Sequence, residues 1–111
     1  MEGLVKGDVV FVHFPFSDLT ALKKRPALVA ATLEGDDVVL CQITSKGVLD
    51  RYSLLLTKLD FKQGKLPVIS RIRPNKLFTA HKSLILYKIG IVNETIIKAA
   101  EEKIIKMFTN G

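Results

Sequence analysis

With 111 residues, the chain falls short of the roughly 150 residues typical of a domain, which predicts a single domain over 1–111 and excludes a two-domain enzyme built around a cofactor cleft. A composition that is 48% hydrophobic and 25% charged, with a mean hydropathy of +0.25, is too apolar for disorder. Seventeen Lys and Arg against eleven Asp and Glu give a net charge of +6, which points to an acidic or polyanionic partner.

The amino terminus, Met1-Glu2-Gly3-Leu4, lacks the basic and then apolar regions of a secretory signal. No apolar run approaches the ~18 residues of a membrane span, so the expected location is the cytoplasm, without a membrane partner. Gly7-Asp8 opens a β-branched and aromatic run, Val9–Phe14, apolar on nearly both faces and of strand length. Pro15 closes it, and the polar and basic stretch Phe16–Lys24 reads as a loop long enough to carry function. Pro26–Thr32 is the second expected strand, and Glu34-Gly35-Asp36-Asp37 a hairpin turn.

The third strand, Val38–Thr44, alternates so that Val39, Cys41 and Ile43 share one face and Leu40, Gln42 and Thr44 the other. Further strands are expected at Ser53–Leu56, Val68–Arg73 and Leu84–Lys88, with a basic turn at Lys62–Pro67. From Asn93 the period changes, and Ile96, Ile97, Ala100, Ile104, Met107 and Phe108 form an apolar helical stripe. Asn93 is its expected N-cap, Glu94 suits the positive end of the dipole, Lys103 and Lys106 suit the other end, and Asn110-Gly111 terminates the helix. The order of elements predicts a mainly β fold, a small barrel with a C-terminal helix.

Few conventional catalytic groups are present. The single cysteine, Cys41, lies in an apolar run and reads as a packed core thiol, and it excludes disulfides within the chain. His13 and His81 are the only imidazoles, and there is no metal-ligand spacing or phosphate-cradling glycine loop, so no metal or cofactor is expected.

The charge is uneven. Between Asp60 and Glu94 there is no carboxylate, yet Lys62, Lys65, Arg71, Arg73, Lys76, Lys82 and Lys88 fall there, and Lys23-Lys24-Arg25 forms a second cluster. Individual lysines either keep a small apolar domain soluble or bind anions. Arg71 and Arg73, two apart on a strand, share a face and present planar donor forks suited to successive phosphates, as in a nucleic acid. RNA supplies its own nucleophile, the 2′-hydroxyl, so its cleavage requires in-line placement, proton transfer and cations around phosphorus, chemistry within reach of arginine and a hydroxyl side chain.

Three blocks carry a family resemblance: Lys6-Gly7-Asp8-Val9-Val10, Phe14-Pro15-Phe16-Ser17-Asp18 and Lys24-Arg25-Pro26-Ala27-Leu28-Val29. Together with Gln42-Ile43-Thr44-Ser45, Ser70-Arg71-Ile72-Arg73 and Lys88-Ile89-Gly90, they make the chain resemble the MazF/PemK toxins of bacterial toxin–antitoxin systems over nearly its whole length. The resemblance implies an SH3-like β-barrel with a C-terminal helix, assembled as a homodimer. It implies a metal-independent, sequence-selective endoribonuclease that cuts single-stranded RNA, usually mRNA, leaving 2′,3′-cyclic phosphate and 5′-hydroxyl ends. An acidic cognate antitoxin is the implied inhibitor.

The family's catalytic arginine falls on Arg25, before the Pro of the Lys-Arg-Pro block, and its catalytic Thr or Ser falls on Thr44. Lys24, Ser45, Lys46, Arg71 and Arg73, with Phe16 and Ser17 of the family's mobile loop, are the implied RNA-binding residues. Phe16 either stacks on a base or anchors that loop. Arg73 fits a recurrent arginine, whereas Arg71 stands where several relatives carry a neutral polar residue. Two rival readings keep the fold: a non-catalytic RNA-binding or regulatory barrel, and a poison of the CcdB type that targets a protein.

Overall fold

The computed structural model describes residues 3–14, 23–47 and 50–110. Seven strands, β1 (Asp8–Phe14), β2 (Lys23–Thr32), β3 (Asp37–Thr44), β4 (Leu54–Leu56), β5 (Phe61–Gly64), β6 (Ser70–His81) and β7 (Ile85–Val92), precede one helix, α1 (Glu94–Asn110). They form a single antiparallel sheet in the order β4-β6-β3-β2-β1-β7-β5.

Strands apolar on both faces require cover on both. On one face the row Val9, Leu28 and Cys41 runs in register across β1, β2 and β3 and packs with Ile96, Ile97 and Ala100 of α1. On the other face Val10, Ala27, Val29 and Leu40 pack with Ala80 of β6 and Ile85 of β7. Since β6 and β7 are separated in the sheet by three strands, their meeting requires the sheet to curl into a partial barrel. The alternation expected in β3 holds: Cys41 and Ile43 enter the first cluster, Val38 and Leu40 the second. The mainly β architecture with a C-terminal helix is the one expected.

Several boundaries differ from the sequence reading. β2 begins at Lys23, so Lys24 and Arg25 join the expected strand ahead of Pro26. Pro26 is tolerated there because the ladder to β3 starts only at Ala27. The strand expected at Val68–Arg73 is instead the twelve-residue β6, which starts at Ser70, leaves Val68 and Ile69 outside it and continues through Pro74. Gln42 pairs with Arg73 and Cys41 with Leu77, so residues 74–76 bulge out of register and the proline interrupts no regular ladder position. β7 runs on to Val92, and Lys62–Gly64 of the expected basic turn join Phe61 in β5 against it.

Close approach makes that last pairing possible. Gly64 and Gly90 are register partners, and a Cβ on Gly90 would lie 2.5 Å from the Gln63 carbonyl oxygen. The Asn93 cap is as expected, its Oδ1 accepting a hydrogen bond from the Ile96 N–H at 3.1 Å. Lys103 and Lys106, however, lie before the final turn of α1, which holds no basic residue. Among the described residues no helix is long and apolar enough to cross a membrane.

Candidate RNA-cleavage site

The ends of β2 and β3 build an open concavity of about 430 Å³. Ala27 faces Gln42 across the ladder, so Arg25 and Thr44, each two residues further along its strand, emerge on one face where the strands part. Lys24, Ser45 and Lys46 join them, and Phe11, Pro26, Ile43, Leu66, Pro67, Val68 and Ser70 complete the wall. The described wall contains no carboxylate, and among the described residues none forms an ion pair with Arg25, Lys24 or Lys46. Such a surface concentrates positive potential at a hydroxyl-bearing cleft.

Local chemistry shapes each part. Past the last β3 residue, the Lys46 N–H donates to Thr44 Oγ1 at 3.1 Å, folding Ser45 and Lys46 back over the strand end. The threonine hydroxyl thereby accepts from the backbone and keeps its own proton to donate. Lys24 is held between two rings, its Nζ 5.1 Å from the centroids of both Phe11 and Tyr87 and donating to Tyr87 Oη at 2.7 Å. The rings themselves lie 5.3 Å apart, tilted by 46°. This cation–π clamp fixes an exposed ammonium at the rim and offers an aromatic surface to a nucleobase.

Of the residues expected to act together, the structure brings Arg25, Thr44, Lys24, Ser45 and Lys46 into one concavity. Arg71 and Arg73 do not line it. The Arg71 guanidinium donates to Ser53 Oγ at 3.3 Å, and that of Arg73 pairs with Asp50 Oδ2 at 3.5 Å. Phe16 and Ser17, with most of the expected loop, lie outside the described residues. Phe11, Tyr87 and the segment Leu66–Val68 carry no site signal in the sequence. Tyr87 meets Phe11 only through the β1–β7 register, a pairing no local pattern announces.

Cys41 and His81 stand aside. Burial pushes the Cys41 thiol up to about 12, leaving it neutral and unreactive. His81 accepts from the Ser83 N–H at 3.0 Å and caps a short turn. Among the described residues no three His, Cys, Asp or Glu side chains cluster to hold a metal ion.

Comparison with known proteins identifies the family and the fold. Residues 5–108 match the model of the PemK-like, MazF-like toxin family of type II toxin-antitoxin systems. The chain belongs to this family. Among solved structures, an endoribonuclease in complex with its cognate antitoxin, from a mycobacterial species, superposes with a TM-score of 0.76 at 13% identity, covering 96% of this chain and 95% of that one. The MazF-mt6 toxin of Mycobacterium tuberculosis gives 0.73 at 16% identity over 91% and 95% of the two chains. A MazE–MazF complex from Deinococcus radiodurans gives 0.73 at 13% identity over 96% and 95%. At such identities these structures share the fold of this chain. No curated protein matches it significantly.

Proposed function

We propose that this family member is the toxin of a toxin–antitoxin pair and acts as a metal-independent, sequence-selective endoribonuclease on single-stranded mRNA. The observation that carries the reading is the placement of Arg25 and Thr44 on facing strand ends in a concavity whose described wall holds no carboxylate and is flanked by Lys24 and Lys46. The RNA 2′-oxygen attacks the adjacent phosphorus as its proton is lost, the bond to the 5′-oxygen breaks, and that oxygen gains a proton. The products are a 2′,3′-cyclic phosphate and a 5′-hydroxyl. Arg25 donates to the phosphoryl oxygens as negative charge builds on them, and the free proton of Thr44 orients the same phosphate. Lys24 and Lys46 hold neighbouring phosphates, and Phe11 and Tyr87 supply a stacking surface.

Incubation of the purified chain with a long unstructured RNA in EDTA tests the reading. Cuts at defined sequences are expected, and Arg25→Ala is expected to slow them by about a hundredfold or more. Absence of cuts, or cuts undiminished in Arg25→Ala, overturns it.

The basic concavity suits an acidic antitoxin, expected from the adjacent open reading frame and expected to block cleavage when mixed with the toxin. The outer end of the α1 stripe, with Phe108 75% and Ile105 59% exposed beside Ala31, Val39 and Leu77, supports a homodimer. Light scattering that gives a monomer mass at working concentration would sink that assignment.

A further inference from the structure

A second cavity, of about 600 Å³, lies away from the candidate catalytic concavity and shares no lining residue with it. It opens where residues 74–76 bulge from β6 beneath the end of α1. Arg51, Tyr52, Asn75, Lys103, Lys106, Met107 and Asn110 line it, three cations and no carboxylate. Asp50, next to Arg51 in the chain, is engaged elsewhere: its Oδ1 accepts from the N–H groups of Tyr52 and Ser53 at 2.9 and 2.8 Å, and its Oδ2 faces Arg73.

The wall is organised in advance. The Arg51 guanidinium lies 5.4 Å from the Tyr52 ring centroid and donates to Tyr52 Oη at 3.3 Å, while Lys103 donates to the Arg51 carbonyl and ties the segment to α1. Lys106 has no acidic partner among the described residues. Two polar atoms of β6 at this bulge, Asn75 Oδ1 and Arg73 Nε, are buried with no hydrogen-bond partner among the described residues, a costly condition.

We infer that this cavity is a second nucleotide subsite, taking a nucleoside monophosphate unit with its phosphate between Arg51 and Lys106 and its base against Tyr52 and Met107. Cavities of this size commonly take ligands of nucleotide size. The unit belongs to the substrate strand: Arg71 is the β6 partner of Thr44, and Arg73 leads on to Asn75, four residues and on the order of 13 Å away at ~3.3 Å per residue. A strand lying in the concavity reaches the cavity along that path, so the subsite lengthens the footprint beyond the cut bond. The inference rests on RNA being the substrate.

The test uses the full chain and a short 2′-O-methyl oligoribonucleotide pool, which binds but offers no 2′-nucleophile. The double variant Arg51→Gln/Lys106→Ala, altered at two exposed side chains, is expected to bind it about tenfold more weakly and with a log-log salt slope shallower by about 0.7 for each phosphate no longer neutralised. Adenosine monophosphate is expected to shift amide resonances at Tyr52, Asn75 and Lys106 in the wild-type chain only. Unchanged affinity and salt slope in a double variant whose wild type cuts RNA overturns the subsite and leaves the endoribonuclease reading standing. Mononucleotide shifts with unchanged oligonucleotide binding overturn the assignment to the RNA strand in favour of a free nucleotide. A wild-type chain that neither binds nor cuts RNA overturns both.

Discussion

The packing of β5 on β7 offers a test that joins the core to the proposed site. Gly90 is buried, and a Cβ there would sit 2.5 Å from the Gln63 carbonyl oxygen and 2.9 Å from Phe61 Cδ2, against an ordinary separation of 3.4 Å or more. In Gly90→Ala, β5 must therefore retreat from β7 by nearly 1 Å. Overpacking of this kind costs about 1–3 kcal/mol, and loosening of the short β5–β7 ladder about 0.5–1.5 kcal/mol for each hydrogen bond, so a loss of about 2–4 kcal/mol is expected. For a chain of this length that lowers Tm by on the order of 10–20 °C, read by circular dichroism.

β5 also leads directly into Leu66, Pro67 and Val68, one wall of the concavity. At a temperature where the variant remains folded, RNA cleavage is accordingly expected to fall on the order of tenfold to a hundredfold through misplacement of that wall. Gly47→Ala is the control, since nothing lies within 4 Å of its added carbon. A Gly90→Ala chain within about 0.5 kcal/mol of wild type and fully active would refute the reasoning.

Three further outcomes are expected. Asn93→Ala removes the acceptor for the Ile96 N–H and should cost about 1 kcal/mol in denaturant unfolding with an unchanged m-value. Cys41 should resist alkylation in the native chain. Because burial raises its folded pKa above the ordinary 9.0, stability should fall as pH rises from there toward about 12, and Cys41→Ala should abolish that part of the alkaline loss in equilibrium unfolding. The Asp50 carboxyl is held below the ordinary 3.8, first by the Ser53 N–H, then by the Tyr52 N–H and Arg73. Its contribution is therefore present above 3.8 and lost as pH falls through the lower folded value, so the Tyr52 and Ser53 amide shifts should titrate with a midpoint below 3.8, and Asp50→Asn should abolish that titration.

Periodicity alone located the strands around Val9–Phe14 and Val38–Thr44 and the cap and stripe of α1, because those signals arise from neighbours along the chain. Arg25 and Thr44, which share one concavity, stood out as candidates for a different reason: each is marked by a short block of adjacent residues. The extent of β6 was not legible, since Pro74 reads locally as a stop and only pairing with β3 on both sides of the bulge carries the strand through.

What the sequence by itself determined is the set of parts: a basic, strand-rich chain ending in an amphipathic helix, with its positive charge gathered in two segments. Tertiary structure decided which parts meet. The β1–β7 register places Tyr87 beside Phe11 and locks Lys24 between them, and the curl of the sheet carries Leu66–Val68 to the ends of β2 and β3. Two arginines that share a strand face turn instead toward Asp50 and Ser53, because a nearby carboxylate and hydroxyl outside their own segment claim their guanidinium groups. Pairings across distant strands and competition among polar partners depend on positions in space, and spacing along the chain does not encode them.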